Sequence, residues 1–235
     1  MKEVVAVSAT RFSREEFAAK APLSWSLRQI GQVSKVRLRV AFDNAGPSAR
    51  GLPEIYNAAI TEENTDCILL FVHDDVLISD FFIQHRLNDA LQMFDVVGVA
   101  GCVEPEIGHS SWARRTDENG NLLPLPLQPN LSGAVAHVQG ERAAVFSYGP
   151  TPLECRLLDG VLLAAQGSTL LASGARFDPE LRFHFYDLDF CQACHLRGLR
   201  MGTYPIAINH WSGGAASEEW GASREIYWRK WNVRK

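Results

Sequence analysis

The densest chemistry in the sequence is His73-Asp74-Asp75, which directly follows the most apolar run of the chain, Cys67 to Val72. Two adjacent carboxylates repel each other, a divalent cation relieves the repulsion, and the cation can then bridge to phosphate oxygens. Consecutive side chains on an extended segment point to opposite sides. Asp74 and Asp75 are therefore expected to serve different partners, one a metal and the other a nucleotide, unless the backbone turns there. For an Asp-Asp pair alone the plainer reading is a helix cap or a solvated turn; the buried strand in front of it favours a site. Asp187 opens a segment that reads as a helix closed by Gly198. A carboxylate there can take a proton from a hydroxyl or simply cap the helix, and the helix N-terminus is expected to lower its pKa and keep it ionised.

The elements that must position these residues follow from periodicity. Val4 to Val7 is a β-branched run expected as a strand buried on both faces, ending at Ser8 and Thr10. Ser13 and Glu16 form a capping-box pattern, and Pro22 breaks or restarts the helix that begins there. Val36 to Phe42 predicts a strand leading into the turn-rich Asp43-Asn44-Ala45-Gly46-Pro47, Gly51 to Glu63 a helix, Cys67 to Val72 a central strand, and Val96 to Gly101 another. Between them Asp80 caps a helix carrying Phe81, Leu87, Leu91 and Phe94. Such alternation predicts an α/β fold with a mostly parallel sheet flanked by helices, whose ligands bind beyond the carboxyl ends of the strands, where Ser8, Asp43 and Asp74 fall. From Val103 to Pro152 the pattern gives way to Gly, Pro, Asn and Ser, with leucine and proline alternating over 122–129, which predicts long loops or edge hairpins. Leu157 to Ala165 and Asp187 to Gly198 are ordered again, and Met201 to Ile208 reads as a last strand before Asn209-His210.

The bulk properties narrow the function. The chain has 235 residues, 46% of them hydrophobic, enough for a sizeable core in one domain. That domain is expected to divide into 1–101, which carries the candidate nucleotide and metal residues, a loop-rich insert (102–156), a part carrying Asp187 (157–214) and a tail (215–235). A net charge of −4 disfavours a nucleic-acid partner. The short apolar run near the start is no signal peptide and no run reaches bilayer length, so a cytoplasmic location is expected. Five scattered cysteines suit reduced thiols. Cys191-Gln192-Ala193-Cys194-His195 matches a haem-attachment pattern, but cysteines facing the core of a helix explain it better. The tail mixes Trp220, Tyr227, Trp228 and Trp231 with basic residues and reads as an amphipathic helix able to touch the inner face of a membrane carrying a lipid-linked acceptor, although such aromatics more often pack on their own domain.

Four segments in order, VVAVSAT, AFDNAG with GLPEIYNAAI, CILLFVHDDVLI, and LDGVLLAAQGSTLLASGARFDPELRFHFYDLDFCQACHLRGL, together resemble the family 2 glycosyltransferases of the GT-A fold and their bacterial glycosyltransferase-like relatives. The resemblance covers nearly the whole chain. It implies a transferase that moves a sugar from a nucleoside diphosphate donor, a UDP-sugar in the first instance, to a glycan or other hydroxyl. It places Asp43 on the nucleobase or ribose, with Ser8 and Asn57 also on the donor, and aligns His73, Asp74 and Asp75 with the metal and diphosphate motif. Asp75 is then the direct ligand of Mn2+ or Mg2+, completed by His210, and the imidazole tilts the choice toward Mn2+. Asp187 becomes the base of an inverting transfer, and Asp159 with Gly160 lines the donor sugar. Two departures stand out: His73 replaces the first carboxylate of the metal motif, and Tyr186 stands where an acceptor-site Glu is usual. Trp112, in the loop-rich insert, and Tyr186 are the candidate acceptor contacts. A GT-A-like module that binds nucleotide or glycan without catalysis, or a metal-dependent hydrolase using His73, Asp74 and Asp75, are the readings from other classes.

Overall fold

The computed structural model describes residues 1–106, 108–117, 122–124, 130–140, 142–211 and 218–233. In chain order the first half contains β1 (Val4–Ala9), α1 (Arg14–Lys20), α2 (Pro22–Ile30), β2 (Val36–Ala41), α3 (Leu52–Asn57), a single 3-10 turn (Glu62–Asn64), β3 (Ile68–Val72), β4 (Val76–Ile78), α4 (Ile83–Met93), β5 (Val96–Gly98) and β6 (Ala100–Cys102). The insert follows as β7 (Arg114–Thr116), β8 (Leu122–Pro124), β9 (Leu131–Gln139), β10 (Arg142–Gly149) and β11 (Leu153–Glu154). The remainder is β12 (Leu157–Leu158), β13 (Leu162–Gln166), α5 (Gly167–Ser173), α6 (Tyr186–Leu196), β14 (Met201–Thr203), β15 (Ile208–His210) and α7 (Glu218–Trp231).

The central seven-stranded sheet runs β11-β14-β5-β13-β3-β1-β2. β1 lies parallel to β2 and β3, and β14 parallel to β5, while β13 is antiparallel to both β3 and β5 and β11 antiparallel to β14. Burial explains why β1 and β3 sit centrally: Val4 to Val7 and Ile68 to Val72 expose at most 1% of their surface, so both faces are covered. A second sheet, β12-β6-β9-β15-β4 with β10 on the far side of β9, stands at the ends of β3 and β13. The capping box at α1 forms as the sequence predicts, Ser13 Oγ accepting from Glu16 N–H and Glu16 from Ser13 N–H, and Pro22 restarts the chain as α2, also as expected.

Four elements differ from the sequence reading, for identifiable reasons. Val96–Gly101 splits at Val99 into β5 and β6, which join different sheets. The crossing is tight: a side-chain carbon on Gly101 would sit 2.4 Å from the Leu157 carbonyl. Met201–Ile208 divides likewise, β14 and β15 joining different sheets on either side of Pro205. The helix from Gly51 ends at Asn57, and the chain re-enters β3 through a turn braced by Asn64, whose side-chain amide donates to the Ala59 carbonyl. Asp80 accepts from Phe82 N–H ahead of α4, which leaves Phe81 exposed outside the helix. The insert is built of hairpins, β7–β8 and β9–β10; residues 125–129 of the leucine-proline stretch lie outside the described residues. All five cysteines are free and buried, with Cys191 and Cys194 in α6.

The tail forms α7, whose aromatic residues turn inward: Tyr227 and Trp228 are buried, and Trp231 Nε1 donates to Asp189. These aromatic residues thus pack on their own domain, the commoner outcome for such a tail. Among the described residues no helix is long and apolar enough to cross a bilayer.

Candidate metal and acid-base site

β3 ends at Val72, and the chain turns through Asp74 and Asp75 before β4, which pairs with β15 in the register Val76 to His210. The turn resolves the expected conflict between adjacent acids. Asp74 goes to the end of β1, beside Thr10, and burial raises its pKa. Asp75 goes to β15, with Oδ1 lying 3.4 Å from His210 Nε2. Both atoms are buried and neither has a hydrogen-bond partner. Ligand atoms of His73, Asp75 and His210 all lie within 4.8 Å of one another. A buried carboxylate oxygen and an imidazole nitrogen that face each other without a hydrogen bond, with His73 beside them, fit a divalent metal. Burial works against charge on Asp75, but His210 overrides it and keeps the carboxyl below its ordinary value. Burial likewise opposes charge on His210 and is overridden by Asp75, which raises its pKa. His73 is driven down by burial and stays neutral, as a ligand must be.

The role of Tyr186 follows from counting protons. Its hydroxyl donates to the Gly160 carbonyl at 2.9 Å and lies 2.8 Å from His73 Nε2. A hydroxyl has one proton, so it accepts from His73 Nε2–H, which fixes the tautomer and leaves Nδ1 with the lone pair a metal uses. Tyr186 is buried and orients the histidine; the acceptor contact expected of it is not available.

The next residue, Asp187, stands in the first turn of α6. Phe185, left-handed at φ 63, sets that start and packs against Trp220 and Tyr227 of α7. Asp187 Oδ2 accepts from Gly160 N–H at 2.9 Å. Its pKa moves opposite to the helix-dipole expectation: burial first, then the Asp159 charge, push it up to about 7. Desolvation of a half-enclosed carboxylate outweighs a helix end that contributes only about 1 kcal/mol. Glycine is required at position 160, since a side-chain carbon there would lie 2.4 Å from the Tyr186 hydroxyl and 2.8 Å from Asp187 Cβ. Asp159 accepts from Trp112 Nε1 through Oδ2 and from Val161 N–H through Oδ1. Trp112 is therefore committed to Asp159 and buried, not open to stack on an acceptor.

Other predicted residues fall around this centre with less uniform results. Ser8 is fully buried, its hydroxyl without a partner. Asp43 is exposed, left-handed at φ 52, with its N–H donating to Phe12 O. Asn57 does not join the site: its side chain donates to Phe177 O and accepts from Phe177 N–H, bracing α3. Sequence reasoning missed His137 and Tyr148. In register opposite His210, His137 has its ring 5.6 Å from the His210 ring and its Nε2 3.3 Å from the Tyr148 hydroxyl. Tyr148 packs edge-on against Trp112 at 4.7 Å. A lone histidine within a hairpin carries no spacing signal; only the pairing of β9 with β15 reveals it.

No protein-family model matches this sequence, and no curated protein matches it. Solved structures do resemble it. A197 from STIV is similar at 12% identity over 90% of this chain and 86% of that one, with a TM-score of 0.49. GalNAc-T7, solved with UDP, GalNAc and Mn2+, is similar at 11% identity and a TM-score of 0.50, over 99% of this chain and 49% of that one. The chain thus spans about half the length of GalNAc-T7. At such identity the likeness to GalNAc-T7 shows the fold alone, a mixed α/β sheet of the GT-A type flanked by helices, and does not reach family 2.

Proposed function

We propose that this chain is a metal-dependent glycosyltransferase that moves a sugar from a nucleoside diphosphate, with UDP as the nucleotide, to the hydroxyl of a glycan or other acceptor, inverting the anomeric centre. One observation carries the reading. The orphaned pair of Asp75 Oδ1 and His210 Nε2 is tied, through His73 and the Tyr186 hydroxyl, to the residue preceding a carboxylate whose pKa is raised to about 7. A cation held by His73, Asp75 and His210, Mn2+ in preference to Mg2+ for its affinity toward imidazole, would neutralise charge on the departing diphosphate. GalNAc-T7 with UDP and Mn2+ shares this fold.

The chain's own residues supply the rest. Asp74, beside Thr10, and Asp43, on the loop beyond β2, flank the end of β1, where a nucleotide in such a sheet binds. Asp187, held by Gly160 N–H, takes the proton of the attacking hydroxyl, and a base near neutrality suits that task. Calorimetry with UDP and Mn2+ tests the binding half. The wild type binds and Asp75→Asn binds less; absence of binding, or undiminished binding by the variant, counts against the proposal. Donor hydrolysis that disappears in Asp187→Asn separates a catalyst from a module that only binds.

A further inference from the structure

Five rings form a continuous row through the candidate site. Phe183 stacks on His73 at 6.3 Å between centroids, His73 lies 6.0 Å from His210, His210 lies 5.6 Å from His137, and His137 meets Phe146 edge-on at 5.3 Å. The middle holds His73 and His210 of the candidate metal group, with His137 beside them; the two ends are phenylalanines about half exposed, Phe183 at 51% and Phe146 at 50%. The ends are not equivalent. Phe183 follows Arg182, whose carbonyl accepts from Leu52 N–H and whose guanidinium donates to Ala49 O, so that end is fastened to the loop after Asp43, on the nucleotide side. Phe146 belongs to the insert, with His137 and the Tyr148 hydroxyl as its polar neighbours.

Resting on the transferase reading above, the geometry points to Phe146 as the platform on which the ring of an acceptor pyranose lies, opposite the donor across the metal residues. A pyranose has an apolar C–H face and a rim of hydroxyls. An exposed aromatic face beside an imidazole and a phenol matches both, the ring covering the C–H face and the polar groups reaching the rim. Burial raises the pKa of Tyr148 to about 12, so its hydroxyl keeps a proton to donate. A lipid chain would ask for aliphatic surface; the exposed aliphatic neighbour, Val145, alternates to the other face of β10, away from His137. Trp112, the acceptor contact expected from the sequence, is behind this platform, supporting Tyr148 from Asp159.

The test uses the full-length protein with Mn2+ and a UDP-sugar, and offers a panel of methyl pyranosides alongside a Ser/Thr-containing peptide. Phe146→Ala should raise KM for the accepted pyranoside about tenfold, equivalent to ~1.4 kcal/mol, and leave the calorimetric affinity for UDP unchanged. Phe146→Trp restores KM, and Val145→Ala has no effect. An unchanged pyranoside KM in Phe146→Ala, or acceptance of the peptide and of no pyranoside, overturns the inference while leaving the UDP result standing. Weakened UDP binding in Phe146→Ala also overturns it, by placing the donor at this end. If the wild type binds no UDP, the transferase reading itself has failed, and the calorimetry shows that separately.

Discussion

Replacing Asp187 with asparagine should stabilise the metal-free protein at alkaline pH while abolishing transfer. Burial, reinforced by the Asp159 charge, raises the carboxyl from 3.8 to about 7, a difference of about 4 kcal/mol between its two protonation states. The folded protein therefore holds this proton more tightly than the unfolded chain does. Below 3.8 both states are protonated, and the site exacts no penalty. As pH rises past that value the unfolded chain ionises first, so stability falls until the folded carboxyl also ionises near 7. Asparagine carries no charge across this window, and its amide oxygen can still accept from Gly160 N–H. The stability of Asp187→Asn relative to wild type should accordingly be near zero at about pH 4, climb through the window, and level off at no more than about 4 kcal/mol. Urea denaturation in EDTA at a series of pH values measures it. In parallel, wild-type kcat/KM should rise with an apparent pKa of about 7. A stability difference that does not vary with pH would refute the assignment of this proton to Asp187.

The other expectations concern the supports of the site. Gly160→Ala places a carbon 2.4 Å from the Tyr186 hydroxyl; displacing Tyr186 and Asp187 together should cost about 100-fold in kcat, read in a donor-hydrolysis assay on protein shown to be folded by circular dichroism. Tyr186→Phe removes the hydroxyl between His73 and Gly160, and Mn2+ affinity followed by electron paramagnetic resonance should fall roughly 10- to 100-fold, with Asp75→Asn losing more. An unaltered affinity in either variant would take His73 or Asp75 out of the metal site. Lys230 bridges Asp178 and the buried Asp189. Lys230→Met leaves Asp189 with Trp231 alone, and because Lys230 is partly exposed the loss at neutral pH should be about 2–3 kcal/mol. That loss should shrink on acidification as Asp189 takes up a proton, and a pH-independent loss would mean that packing, not charge, holds α7.

What the sequence makes legible is burial period and local chemistry. β1 and β3 are readable because both of their faces are covered, which forces continuous apolar runs, and Ser13-Glu16 is readable because a capping box is a local hydrogen-bond pattern. The splits at Val99 and Pro205 are hidden because a buried strand looks the same whichever sheet it joins. β10 gives no alternation to read, as most of its residues are exposed. The rise of the Asp187 pKa was invisible for a different reason: it depends on Asp159 and on enclosure by distant segments, whereas the helix dipole is local and points the other way. The candidate metal residues His73, Asp75 and His210 are legible by type, whereas their neighbours in the insert, His137, Phe146 and Tyr148, require tertiary pairing to be seen.

On the proposed roles, the metal and the base cannot be adjusted independently. Tyr186 and Asp187 are consecutive residues in one helical turn; the first holds His73 and the Gly160 carbonyl, and the second holds the Gly160 N–H. Gly160 is thus gripped on both sides of its peptide backbone by the same turn of α6, and through His73 that turn reaches the strand that delivers Asp75. A substitution that shifts the start of α6, at Phe185 or at Tyr227 of α7 which packs on it, should disturb metal affinity and the pH profile together. A carboxylate at position 186 would bring a second charge to this buried turn. Tyr186 instead brings a hydroxyl whose pKa burial drives well upward, so it orients the histidine without adding charge beside Asp187 and Asp159.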